Sequence, residues 1–389
     1  MTVISNPEDL ASFCARQADA DFVTVDTEFL RDTTYWPKLC LIQVAGPEEA
    51  TAIDPIAPGM DLAPLFELFR AKGVTKVFHA ARQDLEIFYH ITGDLPSPVF
   101  DTQVAAMVCG FGDQVSYEKL AGRLAGARID KSSRFADWTR RPLTPKLLNY
   151  ALSDVTHLRK VYGKLTRKLE RSGRAGWLDE EMAVLTDPAT YDLDPARAWL
   201  RLKTRSHDRR YLAVLREIAT WRESEAQRRD VPRNRVIRDE QLYDIASNAP
   251  DTTEALARTR GLNMDFARGR LGHGLLKAVK LALQLPPEAL PEAPERDDSE
   301  SAPGPLIELL KVLLKMKCEE HDVAQKLLAS TADLERIALD DDAEVPALHG
   351  WRREVFGEDA LALKQGRLAL AAKGSRLKLV RLDAELETA

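Results

Sequence analysis

The chain has 389 residues, more than one ordinary hydrophobic core accommodates, so we expect two or three domains. It holds no run of eighteen apolar residues, and residues 1–13 lack the features of a signal peptide, so we expect neither a membrane span nor secretion. The cysteines are far apart in the sequence and form no Cys-x-x-Cys pair. That spacing argues against a zinc site or a disulfide framework and predicts a cytoplasmic protein.

The net charge of −6 argues weakly against a nucleic-acid partner, but the charge is unevenly distributed. Residues 197–238 contain thirteen Lys/Arg and five Asp/Glu, a local charge of +8, which leaves −14 for the remainder. An acidic body joined to a basic segment suits a metal-dependent enzyme that acts on a polyanion. The alternative is an ordinary solvated helix surface.

Residues 21–30 predict a strand, because Phe, Val and Thr dominate and no turn residue interrupts them. Side chains alternate along a strand, so Asp26 and Glu28 share one face and Val25 and Thr27 the other. Buried unpaired carboxylates cost several kcal/mol, and a divalent cation would offset that cost. Taken alone, the pair is compatible with a metal site or with an edge strand carrying two solvated acids.

The remainder of the first 165 residues mixes strands and helices. Two apolar runs, 39–45 and 50–53, are separated by Gly46-Pro47 and predict neighbouring antiparallel strands. Further strands are predicted at 74–79 and 99–100, and helices at 61–70, 80–91 and from an Asp101 cap through 108. This order predicts an α/β domain in which a mixed sheet is flanked by helices.

Two further acidic positions lie on predicted helices of this domain. Asp84 falls in the first turns of the helix after a strand, where a lone acid is usually an ordinary surface residue. Thr144 and Pro145 predict the start of another helix, on which Tyr150 and Asp154 are four residues apart on one face. Such a pair alone is usually only hydrogen-bonded at the surface.

Beyond about residue 166 we find helical periodicity and no convincing strand. Helices at 211–228, 240–247, 253–257, 264–268 and 271–283 predict a compact all-α domain at 208–287. Residues 288–305 are rich in Pro, Glu, Asp and Ser and predict an extended acidic linker. Residues 306–389 form a third segment, predicted to be helical to about residue 382.

Taken together, these acids resemble the DEDD superfamily of 3′→5′ exonucleases. Asp-x-Glu is followed by Asp84 and then by Tyr-x3-Asp, and Asn149 stands where the histidine branch has its histidine, so the resemblance is to the tyrosine branch. The stretches 26–29, 34–43, 101–103 and 138–143 are similar to the ribonuclease D family. Residues 221–242 resemble an HRDC domain, a nucleic-acid-binding module, and the segment from 306 is weakly similar to a second, divergent copy.

This resemblance implies a ribonuclease H-like sheet, followed by one or two all-α domains, and hydrolysis with two Mg²⁺ or Mn²⁺ ions that releases nucleoside 5′-monophosphates. It implies that Asp26 bridges the ions, that Glu28 and Asp154 hold the nucleophile-side ion, and that Asp84 binds the other. Tyr150 would orient or help deprotonate the attacking water.

Candidate substrate contacts follow from the same resemblance. Phe29 and Tyr35 would pack on terminal bases, although each also suits a core position, and Gln43 would reach the last sugar unless it is only a sheet-surface glutamine. Lys131, Arg140 and Arg141 would meet phosphates. The helical domain would present a basic RNA-binding face made of Arg209, Arg210, Arg228, Arg229, Arg233 and Arg235.

The function implied is 3′-end processing of tRNA precursors by an exoribonuclease. The same chemistry on DNA and a catalytically inactive RNA-binding adaptor are the alternatives, although the presence of all four acids and the tyrosine counts against the adaptor. One active site with its own binding modules has no evident need of a partner subunit, so we expect a monomer.

Overall fold

A computed structural model describes residues 3–130, 133, 136–204, 206–292 and 303–382. Within these ranges, no helix combines the length and the apolar character needed to span a membrane. The described chain divides into two compact units. The first comprises 1–27, 41–190 and 300–389, and the second comprises 28–40 and 191–299.

A six-stranded mixed sheet organises the first part of the chain, as predicted. Its strands are β1 Val3–Ile4, β2 Phe22–Leu30, β3 Lys38–Ala45, β4 Ala50–Ile53, β5 Thr75–Phe78 and β6 Val99–Asp101, in the order β1-β4-β3-β2-β5-β6. As predicted, β3 and β4 are antiparallel, whereas β1–β4, β2–β5 and β5–β6 are parallel. The acidic strand β2 is therefore an inner strand with neighbours on both sides.

Helices flank this sheet. They are α1 Pro7–Gln17, α2 Ala63–Arg70, α3 Arg82–Thr92, α4 Thr102–Val108, α5 Tyr117–Ala125, α6 Pro145–Ser172 and α7 Ala175–Leu185. Helix α6 begins as the sequence predicts, because Thr144 accepts a hydrogen bond from the amide of Leu147 (3.3 Å) and Pro145 occupies the first turn. The hydroxyl of Thr24 on β2 donates to the carbonyl of Val155 on α6 (2.8 Å), which fixes the helix against the strand.

Asp101 has a larger structural role than the predicted helix cap. It caps α4 by accepting from the amide of Gln103 (2.7 Å), and it also accepts from the amides of Ala80 (3.0 Å) and Ala81 (2.8 Å). Ala80 has a φ of +59°, a left-handed conformation that is uncommon for a residue with a Cβ. The buried Asp101 carboxylate thus stabilises the turn from β5 into α3, the helix that carries Asp84.

The second unit is mostly helical, and the bounds 208–287 for its helical domain stay a prediction. Its helices are α8 Arg209–Arg229, α9 Arg233–Val236, α10 Asp239–Asn248, α11 Thr253–Leu256, α12 Met264–Arg268 and α13 Arg270–Leu283, preceded by a 3-10 segment Pro195–Arg201. Leu215, Ile218, Leu242 and Val279 are fully buried in its core. Tyr35, from the 28–40 segment that extends β2 and β3, packs into the same core.

The C-terminal segment differs from its predicted all-helical character. Helices α14 Gly304–His321, α15 Gln325–Leu328, α16 Thr331–Leu339, α17 Gly350–Arg352 and α18 Glu358–Lys364 are followed by an antiparallel hairpin, β7 Leu368–Lys373 and β8 Arg376–Arg381. The helical prediction for this end was wrong because Lys/Arg and Leu alternate with a period of two, which is the period of a strand. Residues 293–302 of the predicted linker lie outside the described residues.

This segment shares a hydrophobic core with the first part of the chain. Leu310, Leu314 and Phe356 are buried in one cluster with residues of α4, α6 and α7. Trp351 stacks on Trp177 with ring centroids 4.1 Å apart and planes inclined by 9°. Additional contacts are a Lys168–Asp322 ion pair (3.1 Å), an Arg352–Glu180 ion pair (2.8 Å) and a backbone hydrogen bond from Ala324 to Met107 (3.0 Å).

A glycine at this junction provides a test of the packing. Gly110 has a φ of +76°, and a Cβ there would lie 2.0 Å from Oδ1 of Asp322 and 2.5 Å from its carbonyl oxygen. Gly110→Ala should therefore lower the free energy of unfolding by the ~1–2 kcal/mol of left-handed strain plus ~1–3 kcal/mol of overpacking. Chemical denaturation followed by tryptophan fluorescence measures the change.

Gly126→Ala is the matched control, because Gly126 has a φ of +64° and no atom within 4 Å of the added Cβ. It should show the left-handed strain alone. Equal destabilisation by the two variants would contradict close packing of Asp322 on Gly110.

Candidate active site

Three predicted carboxylates meet in the structure. Asp26 and Glu28 on β2 and Asp154 on α6 each offer an oxygen, and these oxygens all lie within 4.8 Å of one another. The alternation along β2 and the Thr24–Val155 hydrogen bond explain this arrangement, because they direct two acids to one face and place α6 against the strand. Such a cluster of hard oxygen ligands suits a divalent cation.

Asp84 lies beside this cluster. Its carboxyl is only 7% exposed and accepts a very short hydrogen bond from the hydroxyl of Thr27 on β2. Burial, and next the charge of Asp26, raise the pKa of Asp84 well above its ordinary value. Thr27, which the sequence placed on the other face of β2 as an anchor of the strand, therefore positions the fourth acid.

The electrostatics of the metal-free cluster are unfavourable. Burial, and next the charge of Asp154, raise the pKa of Asp26 well above its ordinary value, and burial raises the pKa of Asp154 to about 7. Among the described residues, Oδ1 of Asp154 is buried without a hydrogen-bond partner. A divalent ion would supply both the missing partner for that oxygen and the positive charge that the cluster lacks, so the residues fit the metals that the resemblance implies.

A cavity of about 250 Å³ opens on these acids. Tyr150 lines it together with Asp26 and Asp154, as its place one helical turn before Asp154 on α6 predicts. The ring of Tyr150 lies near that of Trp138, with centroids 6.2 Å apart. The predicted catalytic tyrosine therefore shares one cavity with two of the predicted metal ligands.

Sequence reasoning missed two residues of this cavity. The hydroxyl of Tyr117 on α5 donates to the carbonyl of Asp154 (2.5 Å), so Tyr117 helps to hold α6 in place. The Nδ1 atom of His79 lies 3.0 Å from the hydroxyl of Thr102 at the start of α4. Neither residue stands at a spacing from the acids that marks a catalytic motif. No element was predicted at 117–125 from the sequence, and no local pattern there indicates a contact with Asp154.

Two of the predicted substrate contacts require correction. Tyr35 is 5% exposed, and its hydroxyl is hydrogen-bonded to Glu223 and Arg233, so its ring is not available to pack on a base. Gln43 is fully buried in the central sheet and cannot reach a nucleotide sugar in this conformation. Phe29 on β2 is partly buried, and its contact with a base stays a prediction.

The predicted phosphate contacts near α6 are also altered by the structure. Arg141 makes two hydrogen bonds to the carboxylate of Asp54, of 2.6 Å and 2.8 Å, which neutralise its charge. The exposed Arg140 pairs with Asp137 at 3.1 Å. Lys131 lies outside the described residues. Arg141 is thus a residue that stabilises the fold, because its guanidinium joins two distant parts of the chain.

Four of the six arginines predicted to form a basic face have partners within the second unit. Arg209 donates to the carbonyl of Leu290 (2.9 Å) and Arg210 to that of Leu285 (2.8 Å), while Arg228 pairs with Glu225 (3.0 Å) and Arg233 with Glu223 (2.5 Å). Arg229 and Arg235 are exposed. A single RNA-binding face made of all six stays a prediction. Arg233 contacts Glu223 and the hydroxyl of Tyr35.

Two regions of the chain match models of known protein families. Residues 1–170 match a family model described as a 3′-5′ exonuclease, and residues 211–279 match the HRDC domain. The chain is 52% identical over 380 residues to ribonuclease D of Granulibacter bethesdensis, which covers 97% of this chain and 96% of the relative. It is also 52% identical over 377 residues to ribonuclease D of Nitrobacter hamburgensis, covering 97% and 98%.

A solved structure agrees with these relatives. The fold is similar to that of Escherichia coli RNase D, described as an exoribonuclease involved in structured RNA processing, with a TM-score of 0.81 and 30% identity over 94% of this chain and 98% of that one. The match extends through the exonuclease domain, the HRDC domain and most of the C-terminal segment. The chain therefore belongs to the ribonuclease D family of 3′→5′ exoribonucleases.

Proposed function

We propose that this protein removes nucleotides from the 3′ ends of tRNA precursors by two-metal hydrolysis. The observation that carries the proposal is the carboxylate cluster of Asp26, Glu28 and Asp154, whose oxygens lie within 4.8 Å of one another. Asp26 and Asp154 line a cavity together with Tyr150. The relative from Escherichia coli is described as processing structured RNA, which supports a structured substrate here as well. We further propose that the enzyme acts as a monomer in the cytoplasm.

Asp26, Glu28, Asp84 and Asp154 would hold two Mg²⁺ or Mn²⁺ ions, which when bound supply an activated water and stabilise the leaving 3′ oxygen. The chain contributes the arrangement of these ligands. Thr27 fixes the carboxyl of Asp84, and partial burial excludes competing water.

Tyr150 and Tyr117 act on the same cavity in different ways. The Tyr150 hydroxyl is the group that would orient the attacking water, since it shares the cavity wall with Asp26 and Asp154. Tyr117 is a positioning residue, because its hydroxyl donates to the backbone of Asp154. Burial raises the pKa of Tyr117 far above its ordinary range, so it keeps its proton and remains a donor.

A direct test offers the purified protein three labelled substrates: a tRNA precursor with a 3′ extension, the mature tRNA, and single-stranded DNA. With Mg²⁺ or Mn²⁺, we expect nucleoside 5′-monophosphates to be released from the precursor until the extension is removed, and EDTA to stop the reaction. Degradation of DNA in preference to RNA would contradict the proposed substrate. Activity that persists in EDTA would contradict the metal mechanism.

Asp26→Asn should abolish hydrolysis and leave RNA binding nearly unchanged. The substitution keeps the size of the side chain and removes one charge from the cluster, so we expect kcat to fall by at least ~10³-fold, or about 4 kcal/mol of transition-state stabilisation. The control is Asp21→Asn, which neutralises an exposed acid just before the same strand and should keep full activity. Comparable rates in the two variants would remove Asp26 from the mechanism.

The effect of Mg²⁺ on stability should increase with pH. Burial raises the pKa of Asp154 to about 7, so below that pH a metal must displace a proton from the cluster. Without metal, the stability of the folded state should instead decrease as pH rises. A carboxyl whose pKa is raised by folding stabilises the folded state while it is protonated, and that contribution is lost as pH rises from about 4 to 7. We therefore expect Mg²⁺ to raise the melting temperature little below about pH 6 and clearly above about pH 8.

Differential scanning fluorimetry with and without Mg²⁺ across this range measures the effect. Asp154→Asn removes one of the titrating groups and should flatten the dependence. The same Mg²⁺ response at every pH in the unmodified protein would show that the site does not exchange protons for metal.

A further inference from the structure

The second unit contains a cavity of about 400 Å³ that the catalytic mechanism does not use. Four arginines line it, namely Arg31, Arg201, Arg222 and Arg233, together with two acids, Glu223 and Asp239. Formal charges of +4 and −2 leave the lining with an excess of two positive charges. A concave surface with several guanidinium groups and a positive excess is chemically suited to a phosphate.

Arg222 shows an unused donor in this cavity. The residue is 4% exposed, and its Nη1 donates to the Asp239 carboxylate (2.5 Å) and to the carbonyl of Ile237 (3.2 Å). Its Nε–H is buried and has no hydrogen-bond partner among the described residues. A buried donor without an acceptor is unfavourable, so a small shift of the Arg222 side chain toward an oxygen-rich ligand in the cavity would satisfy a group that the fold leaves unpaired.

Glu223 is a buried acid in the lining of the same cavity, and two of the arginines lie close to its carboxylate. Its side chain is 1% exposed, and it accepts from Nε (2.5 Å) and Nη2 (2.6 Å) of Arg233 and from the hydroxyl of Tyr35. Arg201 approaches the same carboxylate at only 3.6 Å, and its side chain is 45% exposed. Burial alone would raise the pKa of Glu223, but the hydrogen bonds from Arg233 and Tyr35 outweigh it, so one ionised carboxylate faces two guanidinium groups.

The position of the cavity in the chain indicates which phosphate it meets. Arg31 follows Glu28, a proposed metal ligand, by three residues along β2 and its continuation, which corresponds to roughly 10 Å of extended chain. An RNA strand whose 3′ end is at the metal ligands continues away from them through its 5′ nucleotides. A cationic cavity that begins at most this far from Glu28 is placed to meet one of their phosphates.

We propose that this cavity, lined by Arg31, Arg201, Arg222 and Arg233, binds a backbone phosphate of the RNA on the 5′ side of the scissile bond. The inference rests on the proposed function, since it takes RNA as the ligand. It also gives Tyr35 a role different from the predicted one: its hydroxyl holds Glu223 and Arg233 in the cavity wall, and its ring does not contact a base.

The test measures equilibrium binding of a single-stranded RNA oligonucleotide to full-length Asp26→Asn protein over a range of salt concentrations. Adding Arg201→Gln should weaken binding about 5- to 10-fold at low salt and reduce the slope of log K against log salt by about 0.7, the value for one phosphate of a single strand. Arg201→Lys, which keeps the charge, should restore most of the slope.

Arg197→Gln is the matched control, because it removes an exposed arginine from the same 3-10 segment outside the cavity. It should change neither the affinity nor the slope by as much. Unchanged RNA binding in Arg201→Gln, with an unchanged melting temperature that confirms folding, would overturn the proposal.

A free nucleoside 5′-monophosphate offers the same phosphate chemistry, so adenosine 5′-monophosphate is titrated in parallel. We expect Arg201→Gln to weaken RNA binding far more than mononucleotide binding. Weakened mononucleotide binding with normal RNA binding would identify a product site and overturn the proposal. These measurements use protein that does not hydrolyse RNA, so a failure of the proposed catalytic function would be seen separately, in the unmodified enzyme.

Discussion

Mutual repulsion among the clustered carboxylates is the constraint on which the rest of the structure depends. Three of their oxygens lie within 4.8 Å of one another, and burial raises the pKa values of Asp26, Asp84 and Asp154. Carboxylates that repel one another stay close together only where the backbone around them is held rigidly. The fold supplies that rigidity through contacts made by residues that bind no metal.

The helices that carry Asp154 and Asp84 have such supports. Thr24 fixes α6 to the inner strand β2 through the carbonyl of Val155, and Tyr117 fixes the same helix through the carbonyl of Asp154. Asp101 holds the turn before α3, and Thr27 holds the carboxyl of Asp84 directly. The hydrogen bonds of Thr24 and Thr27 are buried and those of Tyr117 and Asp101 are at least partly buried, and burial protects such bonds from competing solvent. Loss of a support should therefore disturb catalysis without removing a ligand.

The sequence was sufficient for whatever depends on local periodicity or on a spaced motif. The strand at 21–30 and the capped helix at Thr144 follow from alternation and capping, whereas the meeting of Asp26, Glu28 and Asp154 followed only from the resemblance of the motif order to the DEDD exonucleases. Long-range contacts were not predictable in the same way. Tyr35 was predicted to face a base. Its hydrogen-bond partner Glu223 lies 188 residues further along the chain, so no local sequence pattern indicates their contact. The C-terminal hairpin was missed for a different reason, since its two-residue period was present but was interpreted as helical.

Strand β2 and the residues after it lead from the carboxylate cluster to the cavity lined by Arg31, Arg201, Arg222 and Arg233. The first acid of β2 belongs to the first compact unit, whereas Glu28 and the residues up to Cys40 belong to the unit that contains the HRDC domain. The chain from Glu28 to Tyr35 thus leads from a proposed metal ligand to residues that line this cavity. Glu28 and the residues that line this cavity belong to the same compact unit, so a phosphate held by the arginines would be held near Glu28. If the cavity binds RNA as proposed, that distance would help to set how the 3′ end of the RNA reaches Glu28.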